Sequence, residues 1–354
     1  TFAVLTALAL GFKLRLKQQL VAQEAFNEVS LQTARKAGSS IALFAITSEA
    51  IGIIVLSYFF VPELGWGEGL YNALFYTISA FNNAGFALSP DSLSDYVSHP
   101  GITLSVTALF ITGGLGYIVI MDGLEKRSWS RLSVYVKIIL TTTLFLNLFA
   151  TAAILLLEFS NPNTLGMLEG FWSKLLAAWF HGVTPRTAGF NTLDIGALTA
   201  ATSVLMLLLM FIGGAPNSTA SGIKISTFFI LITATKSFLQ GNLNVNFFGR
   251  SLSRETLLKA LATTTIGMAT IFVAVFMLTI FVEDDFLDIA FEAVSAFGTV
   301  GLSRGTTSEL GTPGQLIIMA VMLIGRLGPL TLGYTLTVRH KSRINYATTE
   351  FPVG

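Results

Sequence analysis

Long apolar runs separated by short polar segments restrict the fold of this chain more than any other feature. A helix needs about 20 apolar residues to cross the hydrocarbon core of a bilayer. Runs that fit this requirement lie at 41–60, 103–121, 133–157, 203–238, 258–282 and 315–338, with a partial run at 1–12. Only 12% of the residues are charged and 53% are hydrophobic, whereas about a quarter of a soluble domain is charged. The sequence predicts an all-α membrane protein.

Charge is unevenly distributed between the loops. Alternate loops contain the basic segments "KLRLK", "EKRSWSR", "KSFLQGNLNVNFFGRSLSR" and "RHKSR", while the opposite loops carry acidic residues such as Glu68, Asp91 and Asp284. Because loops rich in lysine and arginine face the cytoplasm, we expect a multi-pass protein of the cytoplasmic membrane. The same rule places the C-terminal tail, 339–354, in the cytoplasm.

Three shorter apolar runs lie on the predicted outer side, and their lengths are typical of re-entrant segments. They are "LYNALFYTISAF", "FWSKLLAAWFHGV" and "LDIAFEAVSAF". Aligned without gaps, residues 73–86, 177–190 and 289–302 share an aromatic residue and, ten positions later, a glycine. These glycines are Gly85, Gly189 and Gly301.

The apolar run that follows each of these loops carries a second shared glycine, at Gly113, Gly213 and Gly325. Each unit is therefore a span, a short dipping helix, a glycine loop and a second span. The chain opens within what resembles the second span of an earlier unit. We predict pseudo-fourfold repeats around one central pore, with the first repeat largely missing. The predicted segments are 1–37 (end of repeat 1 and a cytoplasmic linker), 38–127 (repeat 2), 128–247 (repeat 3), 248–338 (repeat 4) and 339–354 (tail).

The glycine loops are candidates for binding a cation. Non-helical backbone at membrane depth is tolerated only where protein buries it or where it lines a watery cavity. Glycine allows the backbone to turn a carbonyl group inward, and a ring of carbonyl oxygens can replace the hydration shell of potassium. No carboxylate occurs at the shared glycines or beside them, so main-chain oxygens are the predicted ligands. The predicted potassium site consists of Asn83, Ala84, Gly85, Thr187, Ala188, Gly189, Thr299, Val300 and Gly301.

The second span of repeat 3 is interrupted by "GGAPNSTASG" at 213–222. Broken helices inside membranes usually serve a site, and the alternative is a proline kink in one long helix. Arg326 lies in mid-span. Because a charge is costly there, its side chain is expected to face the protein interior or water. We expect Arg326 to hydrogen-bond to carbonyl groups of this interruption, with a bond to a helix end as the alternative.

Other polar residues receive structural interpretations. Arg186 is predicted to brace the third-repeat loop, with substrate binding as the alternative. Glu292 is predicted to form a structural pair, with Arg304 as a candidate partner and attraction of cations as the alternative. Glu49 is predicted to be packed and hydrogen-bonded. Lys224 is close enough to the cytoplasmic end to extend its charge to the surface.

One glycine per unit, the loop "TPRTAGF" and the polar break in repeat 3 together resemble the bacterial Trk/Ktr potassium-uptake family, part of the Trk/Ktr/HKT superfamily. The resemblance covers essentially the whole chain and is strongest to the Ktr membrane subunits. It implies potassium uptake across the bacterial inner membrane, with an intramembrane loop that blocks conduction until it moves, and it allows sodium as an activator or coupled ion. The gate would comprise Gly213, Gly214, Ala215, Pro216, Asn217, Ser218, Thr219, Ala220, Ser221, Gly222 and Arg326.

The same resemblance implies a homodimer in membrane lipid and a cytoplasmic ring of nucleotide-binding regulatory subunits such as KtrA. It implies neither a covalently bound cofactor nor nucleic acid. A cation-coupled secondary symporter with broken helices is the alternative transporter, and it would have repeats of alternating orientation. The sequence shows no Ser/His, paired Asp or His-x-x-x-His arrangement that favours an enzyme.

Overall fold

The computed structural model describes residues 31–242 and 244–328, and it describes side chains from Ser40 onward. The described chain is mostly helical with almost no strand, which confirms the predicted fold class. Its only strands are the two-residue pair β1 (Asn246–Phe247) and β2 (Arg250–Ser251). The helices are α1 (Leu31–Phe81), α2 (Pro100–Leu115), α3 (Tyr117–Lys126), α4 (Val134–Glu158), α5 (Phe171–Val183), α6 (Ala200–Phe211), α7 (Ile225–Leu239), α8 (Arg254–Phe281), α9 (Phe286–Gly298) and α10 (Thr312–Leu327).

These helices form three units, which we name after their shared glycines. The Gly85 unit contains α1 to α3, the Gly189 unit α4 to α7, and the Gly301 unit α8 to α10. In each unit a long helix leads to a short helix, a glycine loop and a further helix. The short helix of the Gly85 unit is the part of α1 after Gly65, whose φ of 80° interrupts the helical backbone.

Three described helices are long and apolar enough to cross a membrane: α1 from Ser40, α4 and α8. The predicted span 103–121 is not straight, because α2 and α3 meet at an angle of 94°. Gly116 lies between them with a φ of 77°, a conformation that glycine adopts without steric cost. The predicted span 203–238 is divided into α6 and α7. Of the predicted span 315–338, residues 329–338 lie outside the described residues, as do 1–30.

The units pack in chain order. The helix after the glycine loop in one unit contacts the short helix of the next: α2 packs on α5, and α6 packs on α9. Phe110 contacts Phe180 at 5.9 Å between ring centroids, and Phe211 stacks on Phe297 at 5.9 Å. Apolar burial therefore stabilises each inter-unit contact, and it places the Gly189 unit between the other two.

Candidate ion filter and gate

The three glycine loops, 83–85, 187–189 and 299–301, meet at one place. A Cβ atom added to Gly189 would lie 2.1 Å from the Val300 carbonyl oxygen and 3.1 Å from the Gly85 Cα. A Cβ added to Gly85 would lie 2.9 Å from the Ala188 oxygen, and one added to Gly301 would lie 3.8 Å from the Gly189 Cα. Main chain thus packs against main chain, and Gly189 holds the central and most crowded position.

The loops share a backbone conformation as well as a position. In each loop, φ is positive at the glycine and at the residue two positions before it, and negative φ is the rule for other residues. The paired φ values are 50° and 72° for Asn83 and Gly85, 73° and 80° for Thr187 and Gly189, and 47° and 94° for Thr299 and Gly301. Three separate segments therefore repeat one unusual main-chain path.

In these loops the middle amide group is hydrogen-bonded, whereas the carbonyl oxygens accept no hydrogen bond from the described residues. The middle residue of each loop donates its N–H back to its own short helix or the turn that ends it: Ala84 to Ser79 O at 2.8 Å, Ala188 to Thr184 O at 3.0 Å, and Val300 to Ser295 O at 2.8 Å. Among the hydrogen bonds of the described residues, none ends on a carbonyl oxygen of the nine loop residues. Nine acceptors are therefore left free at the point where three units meet.

Hydroxyl side chains support the loops from behind. Ser79 Oγ donates to the Phe86 carbonyl at 2.7 Å, and Thr184 Oγ1 donates to the Phe190 carbonyl at 2.6 Å. In the third loop the direction is reversed, since Ser295 Oγ accepts from the Gly301 N–H at 3.2 Å. Each hydroxyl fixes the main chain at the shared glycine or immediately after it.

Arg304 fastens the Gly301 loop to the Gly189 unit. Its Nε donates to Asp288, and its Nη1 donates to the Ile195 carbonyl at 3.2 Å and to Ser203 Oγ at 2.6 Å. The sequence-based pairing of Arg304 with Glu292 does not occur, because Glu292 lies one helical turn farther along α9 than Asp288. Glu292 Oε1 instead accepts from Thr307 Oγ1 at 2.7 Å.

Arg186 extends behind the central loop and is only 8% exposed. Its Nη2 donates to Asn147 Oδ1 on α4, which accords with the predicted bracing role. The side chain borders a cavity of about 20 Å³ that Gly114 of α2 and Gly214 also line. A buried charged group thus lies three residues before Gly189 in the chain and bonds to α4.

The segment between α6 and α7, residues 212–224, is a closed loop; we call it the α6–α7 loop. Gly213 N–H donates to Ile223 O at 2.8 Å, and Ile225 N–H donates to Gly214 O at 3.1 Å, so that the two ends of the loop are joined. A Cβ at Gly213 would lie 1.7 Å from the Ser221 oxygen. The segment is therefore a loop between two half-helices, and the proline-kink alternative is wrong.

Both neighbouring units hold this loop. From the Gly85 unit, Gly114 O accepts from Ala215 N at 2.9 Å, and Gly113 O accepts from Thr219 N at 3.3 Å. From the Gly301 unit, Arg326 Nη1 donates to Thr219 O at 2.7 Å and to Ser221 Oγ at 3.1 Å. The expected bonds from Arg326 to this loop are thus present.

Thr219 also reaches the base of a glycine loop. Its Oγ1 lies 2.7 Å from the Asn83 side-chain amide and 3.3 Å from Phe81 O at the end of α1. The Gly85 and Gly301 units flank the Gly189 unit on opposite sides, yet Thr219 bonds to both. The α6–α7 loop must therefore cross the space between them next to the glycine loops.

The remaining polar candidates have ordinary structural partners. Glu49 Oε1 accepts from Asn82 Nδ2 at 2.8 Å, which is the hydrogen-bonded role expected of it. Lys224 does not extend away from the protein, because its Nζ donates to Ala220 O at 2.7 Å. Among the described residues no group of three or more His, Cys, Asp or Glu side chains could hold a metal ion.

Sequence reasoning missed the supporting hydroxyls and the contact of Thr219 with Asn83. A signal for the first existed, since Ser79 and Ser295 occupy the same column of the gapless alignment, six residues before the shared glycine. Thr184 lies one position later, which concealed the pattern. No local signal links Thr219 to Asn83, which are 136 residues apart.

Comparison with known proteins agrees with this architecture. The family model described as "TrkH: Cation transport protein" matches residues 1–346. The chain belongs to the TrkH family. Family membership identifies it as a membrane transporter of cations and does not point to an enzyme.

Several TrkH-family relatives are similar over nearly the whole chain. The Ktr system potassium uptake protein B of Bacillus subtilis (strain 168) is 45% identical over 354 residues, which cover 100% of this chain and 79% of the relative. The protein of the same name from Vibrio alginolyticus is 42% identical over 95% of this chain and 74% of its own length. The potassium/sodium uptake protein NtpJ of Enterococcus hirae is 34% identical over 96% and 76%.

A solved structure supports the fold. The potassium transporter TrkH from Vibrio parahaemolyticus superimposes with a TM-score of 0.73 at 16% sequence identity. The match covers 87% of this chain and 65% of that transporter, so this chain spans just under two thirds of its length.

Proposed function

We propose that this protein takes up potassium across the bacterial cytoplasmic membrane through a filter formed by the glycine loops. The observation that carries the proposal is the set of nine carbonyl oxygens that accept no hydrogen bond among the described residues. An unpaired carbonyl group at membrane depth costs several kcal/mol unless something else binds it. A dehydrated cation supplies that partner, and relatives named potassium uptake proteins indicate which cation.

Several features of the loops suit potassium binding. The ligands are main-chain oxygens without formal charge, which hold a monovalent ion strongly enough for entry and weakly enough for release. The α5 and α9 helices end at their loops, and the partial negative charge of a helix C-terminus favours a nearby cation. The membrane potential supplies about 2.3 kcal/mol per charge per 100 mV for inward movement.

The α6–α7 loop serves as the gate in this proposal, together with Arg326. It passes next to the glycine loops and is held by two main-chain hydrogen bonds from the Gly85 unit and by two hydrogen bonds from Arg326 of the Gly301 unit. Arg326 places a positive charge beside the ion path and raises the energy of a cation there. Conduction requires that these bonds break and that the loop move aside.

The proposed regulation and assembly rest on the family resemblance. The names of the Ktr system proteins imply a system with more than one component, and we propose a homodimer that binds a cytoplasmic ring of nucleotide-binding subunits such as KtrA. The name of NtpJ mentions both potassium and sodium, so we propose sodium as an activator or coupled ion. The basic loops and the tail at 339–354 would face the cytoplasm and the ring.

Uptake by full-length protein in cells that lack potassium transport tests the filter. Gly301→Ser introduces a side chain where the nearest atom to an added Cβ is 3.8 Å away, so space alone does not forbid it. We expect the preference for potassium over sodium to fall in this variant. Gly305→Ser is the matched control, because Gly305 also has a positive φ, of 124°, and nothing lies within 4 Å of its added Cβ. Unchanged ion preference in Gly301→Ser, with normal expression, would contradict the filter.

The gate is tested by removing its restraint. Arg326→Ala deletes two hydrogen bonds to the α6–α7 loop and should raise potassium flux several-fold, since bonds from charged groups contribute about 1.5–3 kcal/mol each. Arg254→Ala removes an exposed arginine at the start of α8 and serves as the control. A flux that stays the same or falls in Arg326→Ala, at equal protein levels, counts against the gate.

A further inference from the structure

We propose that Thr219 couples the gate to the filter, so that the position of the α6–α7 loop changes the affinity of the filter for potassium. This inference rests on the proposed function and adds a regulatory contact to it. The loop would thus do more than obstruct the path. Its closed position would also support the filter from below.

The coupling begins at the Asn83 side chain. The amide orientation that satisfies both of its atoms lets Nδ2 donate to Phe110 O at 3.2 Å, while Oδ1 accepts from Gly114 N at 3.3 Å and from Thr219 Oγ1 at 2.7 Å. Asn83 is 4% exposed and has a φ of 50°. One buried side chain therefore connects the first filter residue of the Gly85 loop to α2 and to the gate.

Thr219 occupies a position that no other gate residue shares. Its carbonyl accepts from Arg326, its N–H donates to Gly113 O, and its hydroxyl contacts Asn83. Ser221, by comparison, contacts Arg326 through its hydroxyl and has no bond to a filter residue. Gate opening that breaks the Arg326 bonds and displaces the loop must also remove the partner of Asn83.

The contact between Thr219 and Asn83 is closely packed against the glycines of α2. A Cβ at Gly113 would lie 1.9 Å from Phe81 O and 2.9 Å from Thr219 Oγ1. Both second-span glycines of this unit thus approach the contact closely, with Gly114 N as one donor to Asn83. At this contact the main chain of α2 therefore packs tightly against the end of α1 and against Thr219.

The consequence follows from the reciprocity of coupled equilibria. If loop closure favours the filter conformation that binds potassium, then potassium in the filter favours loop closure by the same factor. Loss of one buried hydrogen bond corresponds to a change of about three- to tenfold in an equilibrium constant. The filter should accordingly bind potassium more tightly when the gate is closed and release it more readily when the gate is open.

Rubidium flux into liposomes that contain the full-length protein tests this coupling through two readouts, the maximal flux and the potassium concentration for half-maximal competition. Thr219→Val removes the hydroxyl at nearly constant volume, Thr219→Ser retains it, and Ser221→Ala removes only the bond to Arg326. We expect Thr219→Val to raise the flux and to raise the half-maximal concentration about three- to tenfold. Thr219→Ser should restore both. Ser221→Ala should raise the flux with a smaller shift in affinity than Thr219→Val, because Thr219 keeps its contact with Asn83 whenever the loop is closed.

A double-mutant cycle keeps the test decisive if one variant is poorly folded. Asn83→Gly removes the amide side chain and tolerates the positive φ. In this background Thr219→Val should produce no further affinity shift, whereas additive shifts would overturn the coupling. An affinity in Thr219→Val equal to that of the wild type would overturn it as well. Failure of the proposed function has a different signature, namely that wild-type liposomes show no potassium-selective flux or that Arg326→Ala does not raise it.

Discussion

The glycine loops and the α6–α7 loop are both rich in small residues, yet their structures differ in kind. The glycine loops repeat one backbone path three times, and each is supported by its own short helix through main-chain and hydroxyl bonds. The α6–α7 loop occurs in one described unit only, and hydrogen bonds from both neighbouring units hold it. The first arrangement is supported mainly within each unit, with added bonds between units from Asn83 and Arg304, and the second depends on its neighbours.

Under the proposed function, this difference lets one chain combine a constant ion site with a movable gate. A loop whose bonds lie within its own unit keeps its shape when units shift relative to one another. A loop whose bonds cross to other units responds to every such shift, because bistable inter-unit contacts amplify small displacements. The gate therefore belongs in the part of the structure where symmetry is broken.

The largest expected effect comes from crowding the centre of the glycine loops. Gly189→Ala would place a methyl group 2.1 Å from Val300 O, and overpacking of this kind costs about 1–3 kcal/mol. We expect potassium uptake to fall about tenfold or more. Gly170→Ala is the matched control, because Gly170 has nearly the same φ, 78°, with nothing within 4 Å. Equal losses in the two variants would attribute the effect to backbone strain and not to the meeting of the loops.

Substitutions at Gly213 and Gly325, the shared glycines after the glycine loops, should change ion flux in opposite directions. Gly213→Ala would press on Ser221 O in the α6–α7 loop, whereas Gly325→Ala would press on Phe297 O near the end of α9. We expect the first to displace the gate and raise flux several-fold, and the second to disturb the filter and lower it. Rubidium flux measured at equal protein levels checks both. A change of flux in the same direction in both variants would contradict the different roles proposed for the two kinds of loop.

The smallest expected effect concerns the hydroxyls behind the filter. Ser79→Ala removes the bond to Phe86 O, which should weaken potassium affinity about fivefold if the bond contributes about 1 kcal/mol. Ser105→Ala is a suitable control, since Ser105 Oγ donates to Gly101 O within α2 and contacts no glycine loop. Competition of potassium with rubidium uptake measures the affinity. A shift of the same size in both variants would remove the special role of Ser79.

The fold was predictable from sequence because hydrophobic run lengths and the repeated glycines act locally. The gapless alignment found Gly85, Gly189 and Gly301 since one backbone path requires one residue type at one position. The cost of a charge in mid-span indicated that Arg326 contacts the interrupted helix. The bend at Gly116 was missed, because glycine is common inside straight membrane helices. Composition alone does not distinguish a straight helix from a bent one.

Contacts between units could not be predicted from local sequence patterns. Glu292 was a candidate partner for Arg304, yet Asp288, one turn earlier on the same face of α9, contacts the arginine. The bond between Asn83 and Thr219 joins residues 136 positions apart. Such pairs depend on how helices pack across units, and no local pattern of residues specifies them.

The central claim is that main-chain oxygens of the three glycine loops bind the transported ion. Anomalous scattering from full-length protein prepared in rubidium or thallium in place of potassium tests it most directly. The account predicts a peak on the axis between Gly85, Gly189 and Gly301, within coordination distance of carbonyl oxygens from residues 83–85, 187–189 and 299–301. A transport-competent preparation whose ion peaks lie elsewhere, with these oxygens bound to water or to protein, would contradict it.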